Sequence, residues 1–316
     1  MDIDDNNSFN IGSSLKIDHV HLRVSNLEES TKFYQSVLGF EVLENESSAN
    51  TTFLASNTTS GIQEKDHVFS PLLVLTQVTN DAQSHKNIKK EDGLYHFAIL
   101  LPERRFLASF LRHIQKNLDS QYYEGMADHG VSESIYIHDP DFHGIEVYTD
   151  RLPSEWRWNG DKVHMVTEPL DVKGMLTQNP NEMWGGLPSN TSVGHVHLHV
   201  SNLNRSRWFY HDVLGLHHTA SYPGACFFAA DCYHHHIAIN TWSGTDILPA
   251  GNDDVSGLDH YAIILPSDKY GICALKNHFA HLGISIDEAI LESDKQYSSS
   301  LYAYDPDEIK IQFLFV

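Results

Sequence analysis

Along the stretch "GHVHLHVSNL", residues 194–203, polar and apolar side chains alternate, with His195, His197 and His199 on one parity. Alternation with a period of two marks a half-buried strand, so the three imidazoles share a face. Past the asparagine the period changes. In the matching stretch after Asn26, Leu27, Phe33, Tyr34, Val37 and Leu38 fall at helical spacing, and Gly39 is a good helix stop.

The pattern is written twice. "HVHLRVSNLEESTKFYQSVLGF" at 19–40 recurs as "HVHLHVSNLNRSRWFYHDVLGL" at 195–216, so that His19, Asn26, Tyr34 and Gly39 each return 176 positions later. A looser pair follows. "GLYHFAILLP" at 93–102 parallels "GLDHYAIILP" at 257–266, each ahead of an amphipathic helix. Each then runs into a strand with a shared Asp-Pro-Asp turn, "IHDPDFHGIEVY" at 137–148 and "AYDPDEIKIQFLF" at 303–315. Four units therefore begin near residues 15, 93, 192 and 257, each reading strand, helix, then several strands. A four-stranded unit with one helix needs a partner to cover its sheet, and two such units can curl into a cup that holds a ligand. The expected class is α+β, with four βαβββ modules paired into two open barrels. An N-terminal pair spans 15–166, a bridge rich in Pro, Gly and Asn spans 167–191, and a C-terminal pair spans 192–316.

Composition narrows the partners. Hydrophobic residues at 41% and charged residues at 20% of 316 positions describe a soluble globular chain. No apolar run approaches the roughly 18 residues that cross a bilayer. The N-terminal "MDIDDNNSFNIGSS" is acidic and polar, unlike a signal peptide, and reads as a frayed tail. A net charge of −21 repels nucleic acid and anionic membranes. Three cysteines without CxxC spacing argue for a reducing, cytoplasmic setting and against a thiolate metal site. An exposed strand edge is compatible with a homo-oligomer.

The repeated opening motif, the Asp-Pro-Asp turn and the count of four units resemble the vicinal oxygen chelate superfamily over about 15–150 and 192–316. That superfamily includes extradiol dioxygenases, glyoxalases, fosfomycin-resistance proteins and metal-free binding proteins, so membership alone names no reaction. Carried over by motif, its first-strand ligand positions are His19, His96, His195 and His260. Its last-strand positions are Glu146 and Gln312, both seven residues after the first Asp of the turn. Glu146 is the convincing carboxylate, since Gln312 is neutral. A histidine at such a strand start is also often a plain interior residue. Two imidazoles and a carboxylate leave open positions, which suits non-haem Fe(II), or alternatively Mn(II), rather than a closed zinc site.

Within the resemblance, "DHGVSESIYIHDPDFHGIEVYTD" at 128–150 looks like the closing strands of an extradiol dioxygenase, which makes His129 and Tyr136 pocket residues. "CYHHHIAIN" at 232–240 places His235 three residues before the small Ala238, the position of a catalytic histidine in that class. In a regular strand His234 and His236 face away from it. The chemistry is thus divided between the second and third units, implying that these two share a barrel. The expected ligands are His96, Glu146 and His195, with His129, Tyr136 and His235 as catalytic groups and His197 and His199 lining the pocket or standing just behind the ligands. Pairing in sequence order would put His19 in place of His195. The activity implied is extradiol cleavage of a small aromatic diol by O2. A glyoxalase-type isomerase or lyase and a metal-free binding protein are the alternatives.

Overall fold

The computed structural model describes residues 11, 15–44, 47–57, 71–78, 93–178, 180–181, 183–245, 250, 254–265, 271–289, 297 and 299–316. Apart from Ile11, the acidic N-terminal stretch 1–14 lies outside them. The first unit contains β1 (Lys16–Val24), α1 (Leu27–Phe33), β2 (Glu41–Val42), β3 (Thr51–Ala55) and β4 (Leu73–Gln77). The second contains β5 (Gly93–Leu100), α2 (Arg104–Asn117), β6 (Tyr123–Asp128), β7 (Ser132–His138) and β8 (Gly144–Asp150). A two-stranded ribbon, β9 (Trp158–Asn159) with β10 (Lys162–Val163), closes the N-terminal half, and the bridge adds a short helix, α3 (Val172–Gln178). The third unit contains β11 (Ser192–His199), α4 (Leu203–Trp208), β12 (His217–Tyr222), β13 (Ala225–Ala229) and β14 (Ile237–Asn240). The fourth contains β15 (Gly257–Leu265), α5 (Gly271–Leu282), β16 (Ile286–Ala289), β17 (Ser299–Tyr304) and β18 (Lys310–Phe315).

Each unit is βαβββ, and the units join in two eight-stranded mixed sheets. One runs β12-β13-β14-β11-β5-β8-β7-β6, and the other β16-β17-β18-β15-β1-β4-β3-β2. The second unit therefore shares a sheet with the third, and the first with the fourth. Both junctions are antiparallel pairings of first strands, β5 with β11 and β1 with β15.

Local chemistry accounts for the repeated motif. The Asn26 side chain accepts from the Glu29 amide and starts α1; Asn202 does the same for Asn204 and Arg205 at α4. Both helices widen into a π turn, Tyr34–Leu38 and Phe209–Val213. Gly39 then ends the first at φ +77°, a left-handed conformation that favours glycine. The repeated tyrosine and the repeated turn find each other. The Tyr34 hydroxyl donates to Asp139 at 2.9 Å, and the Tyr210 hydroxyl to Asp305 at 2.9 Å. These bonds tie the first unit to the second and the third to the fourth, across the grain of the sheet pairing.

Alternation separates core from cup. On β11, Val196 and Leu198 are fully buried among apolar residues, as are Phe97 and Ile99 on β5 and Ile145 and Val147 on β8. They belong to one continuous core that takes side chains from both sheets and the helices. Burying each large apolar side chain contributes about 1.5–3 kcal/mol. The intervening positions carry His195, His197, His96, Glu146 and Tyr148 on the opposite face. Among the described residues no helix is long and apolar enough to cross a membrane.

Candidate active site

Four neighbouring strands, β11, β5, β8 and β7, supply the centre. In the register Ala98 of β5 lies opposite both His195 and Glu146, while His96 lies opposite His197 and Gly144. The small Ala98 lets the longer side chains on either side meet above it. Glu146 Oε2 is 3.0 Å from His195 Nε2 and 3.0 Å from His96 Nε2. The other carboxylate oxygen, Oε1, accepts from the Ser134 hydroxyl at 2.5 Å. All three ligand-type residues are buried.

The contact of Glu146 with His195 has hydrogen-bond geometry, whereas the contact with His96 does not. His96 Nε2 is thus a buried ring nitrogen with no hydrogen-bond partner among the described residues, and so is His195 Nδ1. Burial alone would raise the Glu146 pKa, but the charge and hydrogen bond of His195 and the charge of His96 hold it well below the usual range. Burial prevails over Glu146 at His195 and lowers that pKa. A deprotonated carboxylate beside neutral imidazole is the protonation state that a metal ion requires of its ligands.

A second cluster, His21, Asp259 and His260, lies on the other sheet. It differs in charge. Asp259 has the Lys310 ammonium at 3.0 Å and the Arg23 guanidinium at 3.4 Å, so its cations are built in. Among the described residues no Lys or Arg pairs with Glu146, which leaves a buried negative charge that a bound cation would offset. The residues at Glu146 therefore fit a divalent ion, and those at Asp259 fit one less well. At the last-strand position of this sheet, Gln312 Oε1 is 3.2 Å from His260 Nε2, and Gln312 Nε2 donates to Ser300 at 3.0 Å. The arrangement copies His96, Glu146 and Ser134 with the charge removed. His19 belongs to this sheet too, with Nδ1 2.7 Å from Asp18.

The other expected residues surround the triad. His129 Nδ1 donates to the Val166 carbonyl at 2.8 Å, which leaves Nε2 to accept from the Tyr136 hydroxyl at 2.7 Å. Burial, followed by the charge of Glu146, pushes the Tyr136 pKa well up, so the phenol keeps its proton. His235 lies with its ring centroid 4.2 Å from that of His195. His197 lines the same cavity, and Asn240 bridges it to His199, at 2.9 Å and 2.8 Å.

One expectation is corrected. His234 does not face away from His235: the two Nδ1 atoms are 2.7 Å apart, because residues 234–236 precede β14 in a turn rather than within a regular strand. Sequence reasoning also missed Asp150, which reaches His234, and Ser134. The signal existed, since Glu146, Tyr148 and Asp150 share one parity on β8, and Ser134 and Tyr136 share one on β7.

The centre opens into a cavity of about 660 Å³ whose walls include Tyr95, Met126, Met165, Phe227 and Trp242. Over residues 16–147 and 192–313 the chain matches the model of the glyoxalase/bleomycin resistance protein/dioxygenase superfamily. The chain belongs to this superfamily. It is 37% identical over 275 residues to a catechol-2,3-dioxygenase of Bacillus subtilis (strain 168), an alignment covering 86% of this chain and 90% of that protein. This is a catechol-2,3-dioxygenase-like member. Solved structures with the same fold include a Bacillus subtilis protein, at TM-score 0.61 and 12% identity over 97% of this chain and 85% of that one. Glyoxalase I from Zea mays follows at TM-score 0.50 and 16% identity over 96% and 92%.

Proposed function

We infer that the protein is an extradiol ring-cleaving dioxygenase that acts on catechol or a substituted catechol with O2. His96, Glu146 and His195 would hold one Fe(II), with Mn(II) as the alternative. The observation that carries this reading is the buried carboxylate shared by two imidazoles, one of them without a hydrogen-bond partner, with no Lys or Arg paired to it among the described residues. When bound, the ion would supply Lewis acidity and a template for the diol and O2.

The remaining work belongs to the chain. Glu146 and the two imidazoles present one negative charge, so a divalent ion keeps a positive balance that favours a diol bound as its anion. His235 is buried, and burial, then its neighbours His195 and His234, lower its pKa well. Its neutral ring can accept a proton from a hydroxyl in the cup. Tyr136, protonated and donating to His129, offers its oxygen as an acceptor that can orient a substrate hydroxyl. The aromatic and thioether walls give an aromatic diol apolar surface to pack against, and about 660 Å³ leaves room for ring substituents. A glyoxalase-type reaction asks for a second last-strand carboxylate, and β14 ends in Asn240 instead. Three free cysteines suit the cytoplasm.

The test is to load the protein with Fe(II) without air, add catechols and then O2, and follow oxygen uptake and the yellow ring-cleavage product. Absence of both across a panel of substituted catechols, with iron bound, would refute the reading.

A further inference from the structure

We propose that Asp150 and His234 are positioning residues that lock His235 in the tautomer protonated at Nδ1, leaving Nε2 with its lone pair toward the cup. The inference builds on the proposed role of His235, although the tautomer itself does not depend on it.

The chain of contacts fixes the direction of every proton. Asp150 Oδ1 is 2.9 Å from His234 Nε2, and an ionised carboxylate only accepts, so the proton lies on His234 Nε2. A neutral His234 then has a bare Nδ1. That atom is 2.7 Å from His235 Nδ1, so His235 donates there. The His235 ring lines the cavity and its Nδ1 is committed, so the nitrogen left for a ligand is Nε2, unprotonated. The Thr219 hydroxyl holds the His234 carbonyl at 2.5 Å. The Tyr233 ring lies tilted against that of His234, with centroids 4.1 Å apart.

A second arm holds Asp150. Its Oδ2 accepts from the Tyr233 hydroxyl at 3.0 Å, and Tyr233 in turn accepts from Tyr148 at 2.9 Å. Tyr148 reaches that position only because residue 194 is glycine: a Cβ there would lie 1.8 Å from the Tyr148 hydroxyl oxygen. Both carboxylate oxygens are thus bonded from fixed directions, and the carboxylate cannot rotate away without breaking a bond. The logic is that of a hydrolase triad, in which a buried carboxylate sets an imidazole tautomer, with one imidazole more in the chain.

The experiment is nitrogen-15 NMR of the ring nitrogens in the full chain labelled at histidine, recorded without added metal and with Zn(II) as a diamagnetic ion. His235 is assigned by the signals lost in His235→Gln. The wild type should show His235 protonated at Nδ1. His234→Phe and Asp150→Ala should shift it toward Nε2–H, whereas His234→Asn, which keeps an acceptor near the Nδ1 position, should preserve it. In iron-loaded protein His234→Phe should lower kcat for catechol cleavage by about tenfold or more, with KM and iron content unchanged. An Nε2–H wild type, or an unchanged Nδ1–H tautomer in His234→Phe, overturns the proposal. The spectrum needs no substrate. The expected tautomer in a protein that cleaves no catechol supports the positioning role and refutes the dioxygenase reading. Ring cleavage with Nε2–H refutes the positioning role alone.

Discussion

Lowering the pH from 7 to 5 is expected to cost the folded protein about 3–4 kcal/mol. Burial, as the largest cause, lowers the pKa of His21 and His236 to about 3 and that of His260 to about 4, from an ordinary 6.5. Because the folded values lie below the unfolded one, the stability they contribute is present above pH 6.5 and is lost as the pH falls toward 3 to 4. At pH 5 the unfolded chain binds nearly one extra proton at each, about 2 kcal/mol per histidine and about 6 together. Asp305 opposes them. Burial raises its pKa to about 7, so it gains its proton first in the folded state and returns about 2 kcal/mol by pH 5. The histidines win. Burial also lowers the pKa values of His195, His197 and His235, which push the same way. Against a typical total of about 5–15 kcal/mol, the loss is large. Urea titrations at pH 7, 6 and 5 in the presence of a chelator measure it: the midpoint should fall with an unchanged slope, and His236→Gln should flatten the trend. A midpoint that holds or rises between pH 7 and pH 5 would refute the reasoning.

Glu146→Gln and His96→Ala should each abolish iron binding, a loss beyond the roughly 10–100-fold that a ligand's hydrogen-bonding partner is worth, read by elemental analysis after gel filtration. His195→Ala should lose the metal while His19→Ala and His260→Ala keep it; the reverse would move the centre to the other sheet. Tyr136→Phe and His235→Ala should retain iron and lower kcat by about 100-fold or more, seen by parallel iron and oxygen-uptake assays.

Much of this was legible in the residues because strand parity and motif repetition are local. The alternation at 194–200 placed His195 on the cup face, the Asp-Pro-Asp offset aligned Glu146 with Gln312, and the carboxylate charge singled out Glu146. Which units meet followed from chemistry rather than topology: His96 and Glu146 come from the second unit, and His195 and His235 from the third. What stayed hidden depended on departures from regularity. His234 turns toward His235 because the chain bends before β14, and no periodic reading registers a bend. The Tyr34–Asp139 and Tyr210–Asp305 bonds also escaped notice, since each half of the pair looked like a family signature rather than a contact.

The interleaving of the two sheets bears on how the protein is made. The long central strands β1 and β5 both belong to the part of the chain synthesised first, yet their antiparallel partners are β15 and β11. While the nascent chain extends toward residue 192, each must wait with one edge unpaired, an arrangement prone to aggregation and slow to resolve. β11 and β15 arrive in the reverse order of the strands they complete, so the sheet that carries Glu146 is completed first and the second sheet follows. The proposed ligands follow that schedule: His96 and Glu146 emerge well before His195, so the three can meet only after β11 has been made.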